Sequence, residues 1–459
     1  MVAESYTIYP TNKFNRPPPP STIAFHGLDL SGPIQIRSHR FYHQPTSDFL
    51  DVVDKLKNSL AEALELYPAV AGTVQVNEKG EFYISMDTEN LLGTPFLVEM
   101  RDTPYVGDTE DLSPRSSAAL PPLSSTLAVK VTQFSCGTIA VATSMNHMVA
   151  DLRGFLDFVE LWAQLSRGEA VDFTKIPDDW SRTPGRFFSG LIREPTDPTP
   201  PPPPPPPFVL LPTPATGPPP SLLVPSEVTW WKFTKSSMEQ LRSDFSPSAS
   251  DQWISSGDAL AALVCGVITR ARERAGVARL EGRSSLETPT ESIAMAADGR
   301  ERAPQGNMAG GRYFGNFNTL LGVTASRSDL LSPTRESASR VALAIRTALN
   351  LQLTPKAIAD KISFFEAPEN TTPPGRIVFS ADVILTNWCR FDLQSPKLDF
   401  GWGKPFHATN GAGGAYPPGY CIMTQVKDSG DVFVMMTVEQ KGGDELRADS
   451  MLKTYAALV

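Results

Sequence analysis

Residues 144–155 read SMNHMVADLRGF. An alternating apolar stretch ends in His147, Asp151 follows four residues later, and the pattern then switches to a helical period. A histidine at a strand end titrates near neutral pH and suits general-base work where the strand opens into a cleft. A lone histidine there is also common as a structural residue, and H-x-x-x-D spacing recurs by chance. The chain offers few rivals. Its five histidines are His26, His39, His43, His147 and His407; no H-E-x-x-H occurs, and no second histidine near His147 completes a metal site. Serine-elbow G-x-S-x-G, P-loop and G-x-G-x-x-G patterns are missing, so serine-hydrolase, phosphate-loop and dinucleotide readings fall away. GAGGAY at 411–416 has the wrong glycine spacing for a dinucleotide turn and reads as a loop.

The elements that must position His147 are legible around it. TLAVKVTQF and TIAVATSMNH alternate as strands and, joined by SCG, read as a hairpin. After Asp151, residues Phe155, Phe158, Val159, Trp162 and Leu165 follow the 3.6-residue period. Asp151 therefore lies at or just before a helix start, where a carboxylate is favoured by capping and by the helix dipole. Upstream, Val53, Leu56, Leu60 and Leu64 share one helical face that Pro68 closes. Downstream, SSGDALAALVCGVITRARERAG reads as a second strong helix, and SIAMAADGR, RIVFSADVILTNW and VFVMMTVEQ read as strands. Between the halves run eight consecutive prolines, Pro200–Pro207, which fit an extended spacer and no helix or central strand.

Length and composition set the frame. At 459 residues the chain is long enough for two cores, and 41% hydrophobic with 20% charged residues is ordinary for a globular protein. A net charge of −9 argues against a nucleic-acid binder. Cys136, Cys265, Cys389 and Cys421 stand singly, which excludes a C-x-x-C metal or redox motif and fits reduced, mostly buried thiols. The start MVAESYTIYP is not a signal peptide, and ALAALVCGVI at 259–268 is about half a membrane span. The expectation is a cytoplasmic monomer with no membrane or nucleic-acid partner.

A second stretch, PKLDFGWGKP at 396–405, brackets an indole with two glycines. HMVAD and DFGWG together, about 250 residues apart, resemble the BAHD acyltransferase family. LKNSLAEALELYPAVAG, VTQFSCGTIAVATSMNHMVAD, SGDALAALVCGVITRAR, ADGRERAP, YFGNFN and TNWCRF match the family in order, so the resemblance covers nearly the whole chain. One departure is that Leu152 and Arg153 precede Gly154, where the family has glycine directly after the aspartate.

The resemblance implies an α/β fold: two chloramphenicol-acetyltransferase-like sandwiches, each a mixed sheet flanked by helices. Residues 1–190 would form the first domain, 191–225 a proline-rich crossover and 226–459 the second domain, with about 377–397 crossing back to the first. It implies acyl transfer from acyl-CoA, a co-substrate and not a permanently bound cofactor, to a small alcohol or amine, without a metal. His147 would be the base, facing a channel between the domains, and transfer would be direct. Asp151 would orient the site through an arginine, for which Arg300 is the candidate. Thr386 and Trp388 would hold the oxyanion, although a packed core aromatic is an alternative for Trp388. Asp399 would be mainly architectural, with a proton-accepting role as the other reading. Ser256 at a helix start, Arg300, Arg302 and Lys404 are candidates for coenzyme A, and surface or structural roles for them stay open. The rival readings are a condensation-domain-like enzyme with a carrier-protein donor and a non-catalytic binding protein on the same fold.

Overall fold

The computed structural model describes residues 2–25, 27–30, 34–87, 89, 91–115, 124–177, 180, 182–194, 197–215, 224–277, 289–304, 313–411 and 416–459. Parts of the crossover (195–196 and 216–223) and of the glycine loop (412–415) lie outside the described residues. The chain forms two compact α/β units. Unit one comprises Met1–Phe187, Gln305–Phe317 and Leu393–Gly414; unit two comprises Phe188–Pro304, Asn318–Asp392 and Ala415–Val459.

Unit one is built on a six-stranded sheet in the order Val2–Ile8, Thr94–Met100, Leu127–Gln133, Ile139–Asn146, Gln35–Tyr42, His407–Thr409. Only the pair Thr94–Met100 and Leu127–Gln133 is parallel. The hairpin is present as read, with Leu127 opposite Met145 and Gln133 opposite Ile139. The helix Phe49–Leu66 buries Val53, Leu56, Leu60 and Leu64, each contributing about 1.5–3 kcal/mol when removed from water. It packs on the helix Leu152–Ser166, and the Trp162 indole fixes that contact by donating to the Leu56 carbonyl and the Ser59 hydroxyl, both at 3.1 Å. A smaller four-stranded sheet contains Thr22–Ala24, Phe82–Ser85, Thr73–Val76 and Ser124–Ser125.

Unit two holds a seven-stranded sheet in the order Asn318–Ser326, Thr290–Asp298, Val383–Asn387, Tyr420–Gln425, Val432–Glu439, Ser226–Phe233, Ala457–Leu458. Helices Lys235–Phe245, Ser256–Arg274 and Arg335–Gln352 share its apolar core with Val383, Leu385, Cys421 and Met436. Among the described residues no helix is long and apolar enough to cross a membrane.

The division of the chain differs from the expected one in two respects. Residues 377–392 stay in unit two, and the segment that rejoins unit one is Leu393–Gly414, with Gln305–Phe317 as a further contribution. Val383–Asn387 is parallel-paired on both sides, and Val383 and Leu385 are fully buried. Removing such a strand would orphan two rows of backbone donors and acceptors. The crossover is also not wholly a spacer, because Phe208–Leu210, immediately after the prolines, pairs with Ile377–Phe379. All four thiols are free; Cys265 and Cys421 are buried, but Cys136, at the hairpin turn, is exposed.

Candidate active site

Every residue of the strand Ile139–Asn146 is buried, and it ends in a turn that frees the next side chain from the sheet. The turn is tied by Val149 N–H to the Asn146 carbonyl (3.0 Å), by Met148 N–H to Asn146 Oδ1 (2.9 Å) and by His147 N–H to the Ile34 carbonyl (2.8 Å). The helix Leu152–Ser166 follows, with Asp151 as its N-cap accepting from Gly154 N–H at 3.1 Å. Gly154 is a close-approach glycine: a Cβ there would lie 3.0 Å from Ala150 Cβ and 3.4 Å from the Phe314 ring.

His147 Nδ1 lies 3.1 Å from Asn316 Oδ1. The orientation of that amide follows from its other end. Asn316 Nδ2 reaches three acceptors: Asp29 Oδ1 (3.0 Å), the His147 carbonyl (2.7 Å) and the Met148 carbonyl (3.2 Å). The amide nitrogen is thus committed to acceptors, Oδ1 faces the imidazole, and Nδ1 must carry the proton. Nε2 of the neutral ring keeps its lone pair, the state a general base requires. Burial pushes the His147 imidazole below its ordinary range, outweighing the opposing pull of a backbone hydrogen bond at His147 itself and, more weakly, of Asp151, Asn316 and Asp29.

Behind Asn316 stands a buried ion pair. Arg182 donates to both Asp29 oxygens, Nε to Oδ2 at 3.0 Å and Nη2 to Oδ1 at 2.5 Å, and both side chains are fully buried. The same guanidinium holds the carbonyls of Val149 (2.6 Å) and Met148 (3.0 Å). Burial opposes its charge, but Asp29, with help from Tyr313 and Asp151, holds the Arg182 pKa above its usual value. The turn carrying His147 is therefore held by both Asn316 and Arg182, which share the Met148 carbonyl and the Asp29 carboxylate. The second oxygen of Asp151 accepts from Phe317 N–H at 2.9 Å, fixing the loop that presents Asn316. Arg300, in unit two, is buried, and its Nη1 donates to Asp298 Oδ1 at 3.2 Å.

One oxygen of Asp399 holds its own turn. Its Oδ1 accepts from Gly401, Trp402 and Gly403 N–H at 2.6, 3.0 and 2.9 Å. Gly401 and Gly403 have φ of +111° and +107°, which side-chain-bearing residues rarely adopt. The loop docks at the far end of the helix that Asp151 caps: Ser166 Oγ donates to the Phe400 carbonyl at 2.8 Å, and the Phe400 ring meets Trp162 edge-on at 4.7 Å. DFGWG and His147 are thus joined by one fifteen-residue helix, about 22 Å long. Lys404 is exposed in this unit.

In unit two, Trp388 Nε1 donates to Thr386 Oγ1 at 3.0 Å. The indole proton is used, and the Thr386 hydroxyl proton is the one left to donate onward. Trp388 is largely buried at 8% exposure, and Thr386 is half-buried. The helix start bearing Ser256 adjoins this strand end, since a Cβ on Gly257 would lie 3.6 Å from Asn387 Nδ2. That start is closed by a capping box between Ser255 and Asp258, on which Arg346 sits at 2.9 Å from Ser255 Oγ, its guanidinium 4.3 Å from the Trp253 ring. Arg302 is exposed. Among the described residues no group of three or more His, Cys, Asp or Glu gathers as a metal site.

Sequence reasoning missed Asp29, Arg182, Asn316 and Arg346. Only Asn316 lay inside a stretch singled out, YFGNFN. The others are single polar residues whose partners lie up to 287 residues away, and no spacing announces them.

Residues 2–442 match the model of the Transferase family. Hydroxycinnamoyltransferase 1 of Oryza sativa subsp. japonica is 26% identical over 432 residues, covering 86% of this chain and 86% of the rice protein. Two solved structures share the fold. F. graminearum TRI101 complexed with coenzyme A and T-2 mycotoxin has a TM-score of 0.72 at 16% identity, covering 95% of this chain and 99% of that one. Vinorine synthase has a TM-score of 0.66 at 20% identity, covering 99% and 98%. The chain belongs to this Transferase family, the BAHD acyltransferases, and is an acyltransferase.

Proposed function

We propose that this enzyme transfers an acyl group from acyl-CoA directly to the hydroxyl or amine of a small specialised metabolite, with His147 Nε2 as the general base. The observation that carries the reading is the Asn316 contact, which leaves Nε2 unprotonated in the neutral ring. His147 takes the acceptor proton as the oxygen or nitrogen bonds to the thioester carbonyl carbon. The tetrahedral intermediate then collapses, the C–S bond breaks, and the thiolate leaves and takes up the proton. Thr386 is the proposed hydroxyl donor to the oxyanion, polarised by Trp388. Ser256, Arg300, Arg302 and Lys404 remain the candidates for coenzyme A. The same reading has the enzyme working as a cytoplasmic monomer without a permanently bound cofactor.

The match over residues 2–442 favours this reading over a carrier-protein donor or a non-catalytic role. The names of its relatives make hydroxycinnamoyl-CoA the first donor to try. The test is calorimetric titration with acetyl-, malonyl- and hydroxycinnamoyl-CoA, followed by thiol release in the presence of an acceptor panel. Saturable binding, with turnover lost in His147→Ala, is expected. Absence of binding to every donor would overturn the reading.

A further inference from the structure

We propose that unit one carries a second catalytic centre, a serine esterase formed by Ser113, His39 and Asp108. His39 is fully buried on the strand Gln35–Tyr42. Its Nδ1 lies 2.6 Å from Asp108 Oδ1 and its Nε2 lies 2.9 Å from Ser113 Oγ. Asp108 Oδ2 in turn accepts from the Thr409 hydroxyl at 2.5 Å. With the carboxylate as acceptor, Nδ1 is the protonated nitrogen, and the neutral ring presents its Nε2 lone pair to the serine hydroxyl. Hydroxyl, imidazole and carboxylate in this order form the relation that activates a nucleophilic serine, and it is recognised by geometry and not by sequence position. No G-x-S-x-G elbow announces it; Ser113 instead follows the 3-10 turn Glu110–Leu112, with its N–H on the Glu110 carbonyl at 3.0 Å.

Arg37 supplies the independent observation. It stands two residues before His39, on the same face of the strand, and is 3% exposed. Neither Nη1 nor Nη2 finds a hydrogen-bond partner among the described residues. Its stem and the His39 ring flank one point: a Cβ on Gly411 would lie 3.3 Å from Arg37 Cβ and 3.1 Å from His39 Nε2. A buried guanidinium with two unpartnered nitrogens among the described residues is suited to a negative charge that arrives with a substrate, here the oxyanion of a tetrahedral intermediate. Ser113 and the Asp108 side chain, each 9% exposed, are where the centre reaches the surface.

The substrate class is a small carboxylic ester. Ser113 Oγ bonds to the ester carbonyl carbon while His39 Nε2 takes the serine proton. The alkoxy C–O bond breaks, and the leaving oxygen departs as an alcohol with that proton. Water, deprotonated by His39, then attacks acyl-Ser113, releasing the carboxylic acid and returning the proton to the serine. The sum is ester plus water to acid plus alcohol. None of these residues belongs to the His147 network.

The test treats the full chain with a fluorophosphonate probe and locates the adduct by peptide mass mapping. An adduct on Ser113 is expected in the wild type and in His147→Ala, and none there in Ser113→Ala. Asp108→Asn and His39→Gln should each slow labelling at least about 10³-fold, the first serving if the second fails to fold. Hydrolysis of p-nitrophenyl acetate should follow the same order and survive His147→Ala. Ser113 unmodified in folded wild-type protein, under conditions that label trypsin, overturns the proposal. So does labelling of wild type and Asp108→Asn at equal rates.

Discussion

Replacing Asn316 with alanine removes the acceptor that holds the proton on His147 Nδ1, together with the donor to Asp29 and to the two turn carbonyls. During transfer the ring becomes an imidazolium, so the lost bond is one to a charged donor, worth about 1.5–3 kcal/mol. If that bond matters mainly in the transition state, kcat should fall about 10- to 150-fold with KM little changed. His147→Ala should be lower still. The assay is thiol release from the donor found by titration, on protein whose fold is verified by circular dichroism. Asn316→Asp separates positioning from general damage: a carboxylate about 3 Å from the ring favours the imidazolium, and the acidic limb of the rate profile should move up by about 1–3 pH units. Wild-type kcat in folded Asn316→Ala, together with an unmoved limb in Asn316→Asp, would refute the tautomer argument.

Four further outcomes are expected. Because burial depresses the His147 pKa, the base form persists below pH 6.5; the rate should hold there and fall only at lower pH, and the stability contributed by this neutral histidine should likewise decline as pH drops below 6.5. Arg182→Met leaves Asp29 buried without its cation and should cost about 3–5 kcal/mol, read as a loss of denaturation midpoint. On the proposed oxyanion role, Thr386→Val should lower kcat about 10²–10³-fold and Trp388→Phe only about tenfold, in steady-state kinetics. Asp399→Asn keeps an oxygen for the three turn N–H groups and should destabilise by about 1 kcal/mol with kcat nearly unchanged; a loss beyond about 10²-fold in folded protein would favour its proton-accepting reading.

What could be read in advance were features with a local period. The hairpin before His147 alternates, the helix after Asp151 repeats every 3.6 residues, and Pro68 closes the first helix; each of these is decided by neighbours in the chain. The assignment of residues 377–397 failed for a physical reason. VILTN carries the signature of a buried parallel strand, but that signature does not say which sheet holds it. The true returning segment, 393–414, is rich in glycine, and its described residues contribute one three-residue strand, so it has no period to detect. The supports of His147 were illegible because Asp29, Arg182 and Asn316 meet only after distant segments have folded together.

Unit one is assembled from three lengths of chain, and this gives its biosynthesis a definite order. When Phe187 leaves the ribosome, the strand and helix around His147 have been made, but Asn316 is still about 130 residues away and the DFGWG loop further yet. At about 5–20 residues per second, the histidine waits roughly 6–26 s for the amide that orients it. Throughout that interval the buried pair Arg182–Asp29 lacks its third member, and the edge of Gln35–Tyr42 lacks the strand that covers it. The nascent first half is thus a partial sheet with an open edge, the species a holdase chaperone would engage.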